Sequence, residues 1–220
     1  MKNVARHYGI ALGLAILLAL FIRAFIIEAY RIPVSAMRPT LESGDTVFAT
    51  KWDYGIRLPL SGKKIFTGKL PRHGELVLFS HPDEPEIDYI KRVVGLPGDL
   101  IEVRSGHVIM NGTMLDLPES KINNFCGSEK ILNTVYSVCL ESPVMDDMPP
   151  VKVPEHTVFV LGDFRSQITT KIKKSWGLVP VLSLKGKPRL IWLSITPKQE
   201  PQETWWFYRI RFDRMLRKIN

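Results

Sequence analysis

Cysteine is nearly absent from this chain: among 220 residues only Cys126 and Cys139 carry thiols. Two thiolates do not complete a tetrahedral metal site. The five histidines are scattered singly, none at ligand spacing from the cysteines, so no metal and no other cofactor is expected. The cysteines are left as two free thiols or as a bridge closing a loop across Gly127 to Val138, and the compartment decides between them.

Acidic residues are scarce toward the C-terminus. From Lys171 to Asn220 twelve Lys and Arg stand against Glu200, Glu203 and Asp213, an excess of nine that carries the whole formal net charge of +8. Such a stretch suits an anionic lipid surface, nucleic acid or plain solvent. No zinc-finger, helix-turn-helix or other nucleic-acid-binding pattern accompanies the charge, so no nucleic acid partner is expected. Internal repeats and low-complexity tracts are also missing. After residue 30 no long segment places apolar residues at helical spacing.

Hydrophobic residues make up 45% of the chain and mean hydropathy is near zero, but the average hides an asymmetry. Gly9 to Ile22 (GIALGLAILLALFI) is uninterrupted apolar sequence, preceded by Lys2 and Arg6 and resumed after Arg23 by Ala24 to Ile27. A helix from Tyr8 to Ala29 would be about 33 Å long, enough to cross the hydrocarbon core, with Arg23 near one end reaching the headgroups. A cleaved secretory signal would begin in the same way. The small-x-small site it needs is absent; Arg23, Phe25 and Glu28 stand there instead. The reading is therefore an uncleaved anchor over 8–29, with 1–7 as a cytoplasmic tail because its charge is positive. The remainder then faces the extracytoplasmic side, where a Cys126–Cys139 bridge could form.

The body of the chain reads as strands. Asp45–Lys51, Glu75–Ser80, Tyr89–Val94, Leu100–Arg104, Thr157–Leu161 and Arg189–Ile195 are short runs of Val, Ile and aromatics bounded by Gly, Pro, Asp or Ser. Ser105-Gly106 and Asn111-Gly112 mark hairpin turns on either side of His107–Met110. The expected fold is mainly β: an antiparallel, barrel-like catalytic domain over 30–112 and 156–220. A less regular inserted unit is expected at 113–155.

Three stretches carry chemistry. The first, Ile32-Pro33-Val34-Ser35-Ala36-Met37-Arg38-Pro39-Thr40-Leu41, is stiffened by two prolines into an extended or turning segment. The second is Asp88-Tyr89-Ile90-Lys91-Arg92-Val93-Val94-Gly95-Leu96-Pro97-Gly98-Asp99. Strand alternation puts Tyr89, Lys91 and Val93 on one face and Ile90, Arg92 and Val94 on the other, so one of two adjacent bases shares a face with apolar groups. A desolvated lysine loses basicity and can act as a general base. The third runs from Gly162-Asp163-Phe164-Arg165 to Ser175-Trp176-Gly177-Leu178-Val179-Pro180. Taken singly, the first would be a linker and Lys91 a solvated edge-strand lysine.

In this order and spacing the three stretches resemble bacterial signal peptidase I. The match is most specific over the eleven residues of YIKRVVGLPGD and extends from the apolar anchor to Ile191-Trp192-Leu193-Ser194-Ile195. The resemblance implies a β-rich serine endopeptidase with a serine–lysine dyad, seated on the bacterial cytoplasmic membrane. Such an enzyme removes N-terminal signal peptides from exported preproteins after a small residue. It assigns the general base to Lys91 and the nucleophile to position 36, where this chain has Ala36. Ser35, one residue early, would point to the opposite face of an extended segment. Val34 stands where many relatives have an oxyanion-binding serine; the backbone N–H of residue 36 remains available. Substrate, bound as an added strand, would be lined by Ile32, Pro33, Met37, Tyr89 and Ile90. Gly162, Asp163 and Arg165 support the site, with Thr170 aligned to a lysine-steadying serine. In the third stretch Phe164 replaces an asparagine, and Ile172 falls where an aspartate is expected.

Two origins for Ala36 stay open: a serine exchanged in an otherwise working enzyme, or a naturally inactive relative that binds preproteins or pilin-like subunits without cutting. A soluble self-cleaving regulator of the serine–lysine type is disfavoured by the anchor. At the membrane, Trp205, Trp206, Phe207 and Tyr208 followed by Arg209, Arg211, Arg214, Arg217 and Lys218 form a candidate interfacial segment for anionic phospholipid.

Overall fold

The computed structural model describes residues 2–57, 64–66, 68–81, 84–115, 124–141, 146–166, 176–196 and 210–219. Helix α1 (Lys2–Phe25) opens the chain. Its segment His7–Phe25 is long and apolar enough to cross a membrane, and none of it is buried by the rest of the protein. The helix stops four residues short of the expected Ala29, because β1 (Ile27–Arg31) pairs antiparallel with β2 (Asp45–Thr50) and recruits Ile27 to Ala29 into a strand. Lys51 fixes this junction. Its Nζ donates to the helix-terminal carbonyls of Arg23 (3.1 Å) and Ala24 (3.4 Å) and pairs with Glu28 at 2.9 Å. A cation on the last carbonyls satisfies acceptors that the helix itself leaves open.

The strands that follow are β3 (Leu76–His81), β4 (Glu84–Gly95), β5 (Leu100–Arg104), β6 (His107–Met110), β7 (Thr113–Met114), β8 (Asn124–Ile131), β9 (Thr134–Glu141) and β10 (Met148–Lys152). After them come β11 (Thr157–Leu161), β12 (Phe164–Arg165), β13 (Trp176–Pro180), β14 (Leu184–Ser194) and β15 (Arg217–Lys218). The largest sheet has the order β1-β2-β14-β3-β4-β11-β13, with β15 also on β14. Strand β14 turns the sheet: Leu184 and Gly186 pair with β3, and Lys187 to Ser194 pair with β2 across two register shifts. A second sheet has the order β10-β5-β6-β7 and a third β12-β9-β8, in which β12–β9 is parallel. The mainly antiparallel β fold expected from the sequence is the one observed.

The hairpin turns are where the sequence put them. Ser105 and Gly106 have φ of 48° and 79°, Asn111 and Gly112 53° and 81°, the left-handed pairs that tight hairpins need. Gly95 is needed for another reason. A Cβ there would lie 2.7 Å from Ile101, so only glycine lets β4 run this close to β5.

Residues 113–155 are more regular than expected, since four strands fall in them. Cys126 and Cys139 face each other across the β8–β9 hairpin and are joined by a disulfide. The core side chains of these strands, Ile131, Tyr136, Val138 and Met148, pack in one cluster with Val94, Phe159 and Leu161 of the large sheet. A second cluster gathers Val77, Phe79, Val93, Val158 and Val160; a third gathers Ile32, Met37, Leu41, Val47, Leu76 and Ile191.

Candidate active site

Of the extended or turning segment expected here, the turning form is the one observed: residue 36 sits in one turn and a second follows directly. The Arg38 N–H donates to the Ser35 carbonyl (3.2 Å) and the Leu41 N–H to that of Met37 (2.9 Å). Burial of Met37 and Leu41 in the third cluster drives the chain to fold back on itself here. The face-alternation argument against Ser35 does not apply in a turn. Another contact occupies its hydroxyl: Ser35 Oγ accepts the Ser43 N–H at 3.0 Å. Ser43 Oγ in turn donates to the Pro33 carbonyl at 2.8 Å. Ala36 is half-buried, and its carbonyl accepts the N–H of Phe164 at 3.3 Å.

Lys91 is 4% exposed, in mid-β4, opposite Val77 and on the face of the second apolar cluster. Its side-chain amine makes no hydrogen bond or ion pair among the described residues. Burial pulls its pKa from 10.5 to about 8, and the nearby Asp163 carboxylate opposes part of that shift. Arg92, one residue on, is buried on the opposite face, so both bases are buried where the sequence reading required only one. Its guanidinium forks onto Asp163 (Nε–Oδ1 2.7 Å, Nη2–Oδ2 2.6 Å), donates to the Gly74 carbonyl at 2.6 Å and lies 4.2 Å over the Tyr136 ring. Thr40 Oγ1 donates to Asp163 Oδ2, the oxygen that also accepts Arg92 Nη2, at 2.5 Å.

One strand end links these parts. β11 pairs with β4 at Leu161 and Arg92, so the chain just past Leu161 runs beside Lys91. Asp163 takes Arg92 and Thr40 there, and Phe164 takes the Ala36 carbonyl. Arg165 then enters a second buried pair: its two arms hold the Glu129 carboxylate (2.9 and 2.5 Å), and Tyr136 donates to the same carboxylate at 2.5 Å. Arg38 covers the Phe164 ring at 5.3 Å. Gly162 is buried between these groups; Thr170 and Ile172 lie outside the described residues.

The substrate-lining expectation divides. Ile32 and Met37 face the core, with Ile90 packed against the same cluster, while Pro33 and Val34 are exposed and Tyr89 is half-exposed. Strand edges supply what these side chains do not. β1 pairs only with β2, and β4 meets β11 only from Arg92 onward, so one edge of each is unpaired among the described residues. The two edges face a common cleft of about 270 Å³, lined by Glu28 and Tyr30 from β1, Asp88 from β4, and Lys51 and Lys185.

The sequence reading placed Arg211 and Arg214 in a lipid-facing segment and did not foresee their carboxylate partners. Both are engaged by groups of the fold itself. Arg214 is buried against Asp45 (Nη2–Oδ2 2.6 Å), and its other contacts are Glu42 and the Thr40 carbonyl, both at 3.3 Å. Arg211 binds Glu42, the Ser43 carbonyl and Ser194. The pair clamps the chain just past the residue 36 turn. The only hint in the sequence was acidic: Glu42 and Asp45 needed partners. Trp205, Trp206, Phe207, Tyr208 and Arg209 lie outside the described residues.

Known proteins offer a comparison for this arrangement. The family described as signal peptidase, peptidase S26, matches residues 5–193. A signal peptidase I of Pseudomonas fluorescens is 31% identical over 215 residues, covering 86% of this chain and 72% of its own. One from Buchnera aphidicola subsp. Schizaphis graminum is 31% identical over 231 residues, covering 83% and 73%. The crystal structure of a signal peptidase I from Enterococcus faecalis V583 aligns with 54% of this chain and 97% of its own, at 23% identity and a TM-score of 0.36.

Proposed function

The chain belongs to the signal peptidase family, peptidase S26, and from that premise we propose that it is a membrane-anchored serine endopeptidase scaffold for N-terminal signal peptides, with position 36 as the nucleophile site and Lys91 as the base. The single observation that carries this reading is Lys91: a buried side chain whose amine has no hydrogen bond among the described residues, held at a pKa of about 8 on β4, beside β11, the strand that leads into the Phe164 N–H bound to the residue 36 carbonyl. At pH 7 roughly a tenth of such an amine is neutral, against about three in ten thousand for an ordinary lysine.

With serine at position 36, the neutral Nζ would take the Oγ proton as Oγ attacks the scissile carbonyl carbon. The oxyanion would be met by the N–H of residue 36. The resulting ammonium would return the proton to the leaving amine, and the free amine would then deprotonate the water that releases the acyl group. Alanine at 36 has no atom to form the acyl bond, so the chain as written binds substrate but does not cut it.

An extended preprotein segment suits the cleft between the β1 and β4 edges, where backbone groups need a strand partner. Arrival from the membrane is supported by geometry. β1 begins two residues after α1 ends, so the cleft opens beside the anchor. The positive N-terminal tail and the Cys126–Cys139 disulfide favour the extracytoplasmic side for the β domain.

Preprotein processing in detergent tests the reading. Ala36→Ser should convert a chain without measurable cleavage into one that cuts. A second reading, a binding-only relative, is favoured by Phe164 in the third stretch. It expects Ala36→Ser to leave the chain inert while preprotein binding persists.

A further inference from the structure

Beside the residue 36 turn lies a second cavity of about 430 Å³, walled by Pro39, Thr40 and Glu42, by β9 and by β15, and sharing no lining residue with the cleft. Four cations line it: Arg92, Arg214, Arg217 and Lys218. The first two are neutralised from behind by Asp163 and Asp45, and the one acid in the lining, Glu42, is bridged by Arg211 and Arg214. Arg217 and Lys218 are different. Both are exposed on β15, and neither has a carboxylate partner among the described residues. Ser137, also exposed, adds a hydroxyl not engaged among the described residues. Two uncompensated cations over a floor already at charge balance leave the cavity with a positive surplus and hydrogen-bond donors, the combination that suits a compact dianion or monoanion with several oxygens.

We propose that this cavity binds a phosphate group. Its place in the sheet says which phosphates can reach it. Ala29, Phe48, Leu190 and Lys218 are in register across β1, β2, β14 and β15. Three strand spacings of about 4.8 Å put Lys218 about 14 Å from Ala29, itself four residues past the end of the anchor helix. A phospholipid headgroup at the bilayer surface and free phosphate both have access. Occupancy would press on Thr40 and Pro39 and so brace the turn that carries residue 36.

The test uses the full chain in dodecyl maltoside micelles, titrated with inorganic phosphate by calorimetry at pH 7. Saturable heat is expected. Arg217→Gln with Lys218→Gln should weaken binding at least tenfold, whereas Lys69→Gln with Lys152→Gln, at exposed bases outside the cavity, should leave it unchanged. The titration is then repeated in nanodiscs of phosphatidylcholine alone and with three parts in ten phosphatidylglycerol. Loss of the phosphate heat only in the anionic discs identifies the headgroup as occupant; equal heats in both identify free phosphate. No saturable heat in micelles, or heat that survives the Arg217/Lys218 exchange, overturns the proposal.

Discussion

Arg92 and Asp163 are joined by two parallel hydrogen bonds of 2.7 and 2.6 Å, both side chains 1% exposed, one residue along the strand from Lys91. The pair holds in place the chain just past β11, which runs beside the base and binds the residue 36 carbonyl. Removing one partner strands the other's charge in the core. Asp163→Ala should therefore cost about 3–5 kcal/mol of stability, measurable by thermal or denaturant unfolding in detergent. Adding Arg92→Met should recover part of that loss. A loss below 1 kcal/mol would mean that the pair is not buried in solution.

A second pair steadies the other end of the turn. Burial would raise the Asp45 carboxyl, but the Arg214 guanidinium, the Glu42 N–H and Ser194 together hold it below the usual carboxylate range. The stabilisation is therefore complete above the ordinary carboxylate pKa, near 4, and is lost as pH falls through the lower folded value. Arg214→Ala should cost on the order of 3 kcal/mol at pH 7, with the difference from the parent shrinking in acid. Unfolding measured from pH 7 down to pH 3 checks the trend; a difference that grows in acid contradicts the pairing.

How much of this was legible beforehand depended on range. The hairpin turns at Ser105-Gly106 and Asn111-Gly112 were readable because two adjacent residues fix the backbone there. That one of Lys91 and Arg92 would be buried was readable from the apolar residues that alternate with them on β4; that both are was not. The partners of Arg92 and Arg214 lie 71 and 169 residues away in sequence, and nothing local announces such a pair. The end of α1 was overestimated for a related reason: nothing in Ile27-Glu28-Ala29 breaks a helix, and only pairing with Phe48 to Thr50 makes them a strand. The turn at residue 36 came from packing of Met37 and Leu41, which the two prolines alone did not specify.

Lys91 should itself weaken the fold at neutral pH. Its folded pKa of about 8 lies below the ordinary 10.5, so the unfolded chain holds the extra proton between those values. The penalty is full below pH 8 and fades as pH climbs toward 10.5. Lys91→Met should raise stability at pH 7 by about 3 kcal/mol, and the gain should shrink above pH 8. Melting curves of both forms from pH 6 to 10 supply the comparison. A destabilised Lys91→Met form at pH 7 would show that the ammonium is well solvated.

The most direct test joins Lys91 to position 36. In the Ala36→Ser form, kcat/KM for preprotein cleavage should rise with pH at unit slope and level off near pH 8, the point at which the Lys91 amine loses its proton. Adding Lys91→Ala should abolish cleavage at every pH. Cleavage that persists without the amine, or an acid limb far from pH 8 in the Ala36→Ser form, would contradict Lys91 as the base for this site.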